Sequence, residues 1–109
     1  MDELLSIVRE IDLPSAYDHF AEGEAPQLPY LLYLIPASNN FAADDRAYFK
    51  ANEVHIELYS AVKDLSAEQA VEAVLDRHSV FYEKSETWIP SEKLYEVLFI
   101  FDLEVKTNG

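Results

Sequence analysis

Apolar residues at Leu4, Ile7, Val8 and Ile11 recur at the spacing of one helix face. Asp2 is placed to cap the start of that helix, and Pro14 marks its end region. Residues 21–27 (AEGEAPQ) have the composition of a loop. An unbroken apolar run of strand length then covers 30–35 and is stopped by Pro36. Residues 38–50 keep no clean period and read as a long loop or arm. From Glu53 to Tyr59 the alternation is strict: Val54, Ile56 and Leu58 point one way, and Glu53, His55, Glu57 and Tyr59 the other. Ser66 and Gln69 have capping-box spacing ahead of an apolar stripe at Ala67, Ala70, Val71, Val74 and Leu75, which predicts a helix ending near His78. A strand with mixed faces over 80–89, a turn at 90–93 and a last strand over 95–105 complete the chain.

The element order is α-β-β-α-β-β, with no repeat and no low-complexity segment. It predicts a single α+β domain over 1–109. The expected architecture is one four-stranded, mainly antiparallel sheet with both helices on one face, and the arm between the first two strands. Two strands are apolar on both faces. Tyr30, Leu32 and Leu34 oppose Leu31, Tyr33 and Ile35, while Tyr95, Val97, Phe99, Phe101 and Leu103 oppose Leu98 and Ile100. Such strands need cover on both sides, and two short helices supply one. Either a second copy of the chain or the 38–50 arm covers the other side. Within that arm Phe41, Tyr48 and Phe49 lie close to Asp44, Asp45 and Arg46. Aromatic residues with arginine are typical interface anchors; the other reading tucks the aromatics into the core.

Charge changes the picture of partners. The chain has 109 residues, with 8 Lys and Arg against 21 Asp and Glu, a formal net charge of −13. Ordinary phosphate binding, which relies on Lys and Arg, is disfavoured. An acidic protein meets DNA either by mimicking its phosphates or by forming a repulsive wall past which DNA slides. Half the residues are apolar, so a packed core is expected rather than a disordered acidic tail. The N-terminus lacks a basic leader followed by a long apolar run, and no stretch is long enough to span a bilayer, so synthesis in a cytoplasm and no membrane partner are expected.

Candidate chemistry is sparse. Cysteine is absent, and only Gly23 and Gly109 are glycines, which excludes thiol catalysis, Cys-ligated zinc and glycine-rich phosphate loops. His55 and Glu57 share a strand face but lack further ligands at motif spacing. Asp76, His78 and Ser79 are triad residue types without a nucleophile elbow, and read as a helix C-terminus where Arg77 and His78 complement the dipole. Asp44 and Asp45 lack calcium-loop spacing, and Glu83 with Glu86 would need a pocket to act as an acid/base pair. No catalytic residue, metal or cofactor is assigned, and an enzyme is not expected.

Several segments together resemble a known family. They are LPYLLYL at 28–34, SNNFAADD at 38–45, VHIELY at 54–59, Lys63 with Asp64, YEKSETWI at 82–89 and YEVLF at 95–99. The chain is similar, over about 13–105, to tail terminator or head-to-tail joining (neck) proteins of long-tailed bacteriophages and prophages. The resemblance implies an α+β subunit in a ring, typically a hexamer, that caps the tail tube and docks to the head connector. DNA would pass through its central channel without specific binding. It also implies a virion location, with the ring partner, the tail tube protein and a head-completion or connector protein as partners. On this reading Phe41, Arg46, Tyr48 and Phe49 are subunit-interface candidates, and Asp44 and Asp45 are channel-facing acids. Asn is commoner than Asp in the family at the position of Asp45. A head-closure adaptor of the same neck and a free acidic DNA mimic remain open alternatives. The acids are scattered over all elements rather than spaced along one face, which counts against mimicry.

Overall fold

The helical spacing of Leu4, Ile7, Val8 and Ile11 places all four on one side of α1 (Asp2–Ile11), where all are buried. The computed structural model describes residues 2–43 and 47–105, with the backbone alone at 41–43 and 47–49. Asp12 takes a left-handed conformation, φ 60°, just after the helix. Pro14, which cannot continue a helix, then turns the chain into β1 (Ser15–Tyr17). The Pro14 carbonyl accepts from the Leu31 N–H at 2.8 Å, and β1 runs parallel to β2 (Tyr30–Ser38). The remaining elements are β3 (Phe41–Ala43), β4 (Ala47–Phe49), β5 (Ala51–Ser60), α2 (Leu65–Arg77), β6 (Tyr82–Ile89) and β7 (Leu94–Glu104).

The fold is α+β, with a five-stranded sheet in the order β1-β2-β5-β7-β6 in place of the expected four strands. The added strand is β1, and its pairing with β2 is the one parallel pairing in that sheet. Three residues are too few to carry a period, so β1 is defined by its non-local partner rather than by its own pattern. Strand β2 also runs past Pro36. The register slips between Leu34 and Ala37, a bulge that accommodates a residue without an N–H donor.

The expected unstructured arm contains the two-stranded hairpin β3–β4, in which Phe41 pairs with Phe49 and Ala42 with Tyr48. Its base is tied to the main sheet. The Asn39 N–H donates to the Ala51 carbonyl at 2.8 Å, the Ala51 N–H donates to Asn40 Oδ1 at 3.2 Å, and Asn39 Nδ2 donates to both Asp102 carboxylate oxygens at 3.2 Å. Among the described residues β3 and β4 contact each other extensively and no other element so. At about 3.3 Å per residue the run from Ala47 to Ser60 is roughly 46 Å long. The molecule's long dimension is 49 Å against 26 and 25 Å across. The hairpin therefore prolongs the β2–β5 ladder and does not fold back over the sheet.

Both helices pack on one face. Leu31, Val54, Ile56, Leu58, Val97, Phe99 and Phe101 from the sheet meet the α1 stripe and Ala67, Val71, Val74 and Leu75 of α2 in one core. Helix α2 starts two residues earlier than its capping-box motif predicts. Asp64, not Ser66, is the cap, with its carboxylate accepting from the Ala67 N–H at 3.0 Å. At the other end Val80 N–H bonds the Leu75 carbonyl and Ser79 N–H the Asp76 carbonyl, both at 3.0 Å. That is a Schellman closure, with Ser79 at φ 56° where glycine is usual.

One charge is sealed beneath this layer. Glu68 of α2 is 1% exposed. Lys63 Nζ approaches its two oxygens at 3.0 and 2.8 Å, and Lys84 Nζ of β6 lies 2.7 Å from Oε1. Oε2 has no well-angled hydrogen bond, so only the Lys63 ammonium compensates it. Lys63 also meets Glu86 at 3.0 Å, Lys84 meets Glu72 at 3.2 Å, and the Tyr82 hydroxyl donates to Glu72 at 3.1 Å. Burial pushes the Glu68 carboxyl upward, but the two ammonium groups outweigh it and hold it below the ordinary glutamate value. Its contribution to stability is therefore complete above the ordinary glutamate range and is lost as pH falls through the lowered folded value. Glu68→Ala leaves Lys63 with Glu86 and Lys84 with Glu72, and is expected to cost about 1.5–3 kcal/mol, the scale for hydrogen bonds to a charged group, read by urea unfolding at pH 7. The gap between wild type and variant should narrow as the pH is lowered toward and below that folded value.

Candidate functional site

The alternation that buries Val54, Ile56 and Leu58 turns Glu53, His55, Glu57 and Tyr59 to the opposite, helix-free face. The register sets them in rows across the sheet. Tyr30, Tyr59, Glu96 and Thr87 form one row; Leu32, Glu57, Leu98 and Ser85 the next; Leu34, His55, Ile100 and Glu83 a third. Beyond these, Glu53 pairs with Asp102. A polar, acidic strip along β5 thus runs between two half-buried aliphatic flanks, Leu32 and Leu34 on β2 and Leu98 and Ile100 on β7. One corner is closed by rings: Phe20 meets Tyr30 edge-on at 5.1 Å, and Tyr30 lies 5.5 Å from Tyr59.

The strip is electrostatically tense. The Tyr59 hydroxyl donates to Glu96 at 2.7 Å and is 3.3 Å from Glu57, so one donor stands between two carboxylates. Desolvation, followed by the neighbouring Glu96 charge, raises the Glu57 carboxyl above its ordinary value. Burial and the two carboxylates push the Tyr59 phenol far upward, so it stays a donor at any physiological pH. Farther along, a His55 ring nitrogen lies 2.9 Å from Glu53. Alternation along the last strand puts Glu96 on the face of Leu98 and Ile100 but names no neighbour for it. Only the β5–β7 register brings it beside Tyr59.

The other candidates disperse. His55 and Glu57 do share a face as expected, but no group of three or more His, Asp or Glu residues among those described could hold a metal ion. Glu83 and Glu86 lie three apart on a strand and so point to opposite faces; Glu86 is engaged with Lys63. Asp76, His78 and Ser79 form no triad. Ser79 is part of the helix closure, and His78 Nε2 faces Glu10 of α1 at 2.7 Å, with Glu3 at 3.6 Å from Nδ1. Arg77 adds a 3.5 Å contact to Glu10. The hydrogen bond from His78 holds the Glu10 carboxyl below its ordinary value. Arg77 and His78 thus occupy the helix C-terminus as expected, and they also tie α1 to it. Asp44, Asp45 and Arg46 lie outside the described residues, while Phe41, Tyr48 and Phe49 are placed by backbone alone on the hairpin. Among the described residues no helix is long and apolar enough to cross a membrane.

No protein-family model matches the chain, and no curated protein matches it either. A chain in the structure of the virion of a native gene transfer agent (GTA) particle does share its fold. The superposition has a TM-score of 0.56 at 10% identity and covers 93% of this chain and 84% of that one. At that identity the likeness is one of architecture.

The tension at Glu57 has a measurable sign. A carboxyl whose folded value is raised costs stability above that value, and the cost fades as the pH falls toward the unfolded value. Glu57→Gln is expected to raise the unfolding free energy at pH 7 by up to about 1 kcal/mol, the upper scale for a cross-strand pair. The gain should shrink on acidification. Thermal unfolding across pH 4–8 checks both.

Proposed function

We propose that the chain is a structural, non-enzymatic component of a virion. It assembles into a ring that ends the phage tail tube and joins it to the head connector. The observation that carries the reading is the fold shared over 93% of the chain with a chain of a gene transfer agent virion. The segments resembling phage neck proteins supply the finer part, a hexameric ring with a central channel for DNA. The net charge of −13 suits a channel wall past which DNA slides without adhering. The partners are further copies of the chain, the tail tube protein and a head-completion or connector protein.

In this reading the β3–β4 hairpin reaches the neighbouring subunit. It extends beyond the sheet, as a subunit arm does, and carries Phe41, Tyr48, Phe49 and Arg46 as the interface group. Asp44 and Asp45 are then the acids turned to the channel. Because the subunits repel one another, assembly strengthens with salt as the Debye length shrinks below ~10 Å.

Light scattering on a sizing column at low and high salt tests this. The expected result is a discrete ring whose population grows with salt and protein concentration. Phe49→Asp should lower the mass while leaving the thermal unfolding of the subunit unchanged. A monomer under every condition counts against self-assembly, and unfolding by Phe49→Asp would place that residue in the core instead.

A further inference from the structure

The open face of the sheet combines two properties that constrain what can dock on it. Its flanks, Leu32 and Leu34 on one side and Leu98 and Ile100 on the other, present aliphatic surface that neither helix covers. Its centre and ends carry Glu53, Glu57, Glu83, Glu96 and Asp102, and no Lys or Arg among the described residues shares the face. A second copy docked face to face would oppose carboxylate to carboxylate across a desolvated contact. Among the described residues the other surfaces offer few cations in return. Lys63 and Lys84 are bound to Glu68, and Arg77 contacts Glu10. Lys50 is also engaged. Arg9 and Lys93 adjoin Glu10 and Glu92 in sequence and lie on separate parts of the fold, α1 and the β6–β7 turn.

We propose that this face docks a different protein, one presenting lysine or arginine at its centre between aliphatic side chains. A cation placed over the β5 strip meets Glu57 and Glu96, which share the single Tyr59 donor, while the partner's aliphatic groups cover Leu32, Leu34, Leu98 and Ile100. The inference rests on the charge pattern of the face and stands whether or not the chain forms a ring.

The probe is a ten-residue synthetic peptide of alternating Lys and Val, with an alternating Glu and Val peptide as its counterpart, measured by calorimetry or NMR shift mapping on the full chain. Two charge-matched pairs of substitutions separate the face from the overall charge. Glu57→Gln with Glu96→Gln removes two charges from the open face, and Asp2→Asn with Asp76→Asn removes two from the helix side. The Lys–Val peptide is expected to bind wild type and the helix-side pair alike and to lose about tenfold or more affinity for the open-face pair. Leu98→Ser, which keeps every charge, should weaken it as well, and the Glu–Val peptide should not bind. Equal weakening by both pairs would overturn the proposal, because the peptide would then follow the net charge. A change in assembly mass for the open-face pair without peptide would also overturn it, because the occupant would then be a second copy.

Discussion

Strands β2 and β7 carry apolar residues on both faces of the sheet, and the two helices among the described residues lie on the same side. Most of the molecule's organisation depends on that inequality. Once the stripes of α1 and α2 meet Val54, Ile56, Leu58, Val97, Phe99 and Phe101, one face is closed and takes nearly all the large buried side chains. Every odd-numbered position from Glu53 to Tyr59, and Leu98 and Ile100 opposite them, is then left on the other face. The helix-free side is a consequence of strand alternation and not a separate feature of the fold. The hairpin does not relieve it, because it prolongs the sheet lengthwise.

The two faces treat the same side chain in opposite ways. Glu68 lies under the helix layer, yet two ammonium groups keep it ionised and it holds α2 against the edge strand β6. Glu57 lies on the open face with aliphatic neighbours, a second carboxylate and one shared hydroxyl, so its charge is disfavoured. Burial alone does not set the direction; the count of cations within reach does. A sheet face whose acids lack cations is a surface with unspent electrostatic attraction, whereas the Glu68 cluster is already satisfied and has a structural role.

A chain from a gene transfer agent virion shares the fold, and the proposed role as a subunit of an assembly draws on that likeness together with the acidic, partly apolar surface. The described histidines each meet a nearby acid: His78 secures α1 to the end of α2, His55 lies beside Glu53, and His19 beside Asp18. Each is explained by a local carboxylate.

Periodicity alone determined both helices, the four long strands, the turn at 90–93 and the inward sets of α1 and β5; on α2 it placed Ala70 inward, where the structure exposes Ala70 and buries Glu68. These are short-range properties, since a stripe or an alternation needs only its own segment to be legible. Tertiary structure decided the rest. Strand β1 exists because Ser15 to Tyr17 lie against Leu31 to Tyr33, and β2 passes Pro36 because a bulge against β5 absorbs it. The arm became a hairpin through pairing across its own tip, and Asp64 displaced Ser66 as the cap because its carboxylate reaches the Ala67 N–H. The cluster of Glu57, Tyr59 and Glu96 and the pairing of Glu68 with Lys63 and Lys84 likewise join residues from different elements. Register and packing between distant segments set such contacts, and a pattern read along one segment holds no information about which residue will stand opposite.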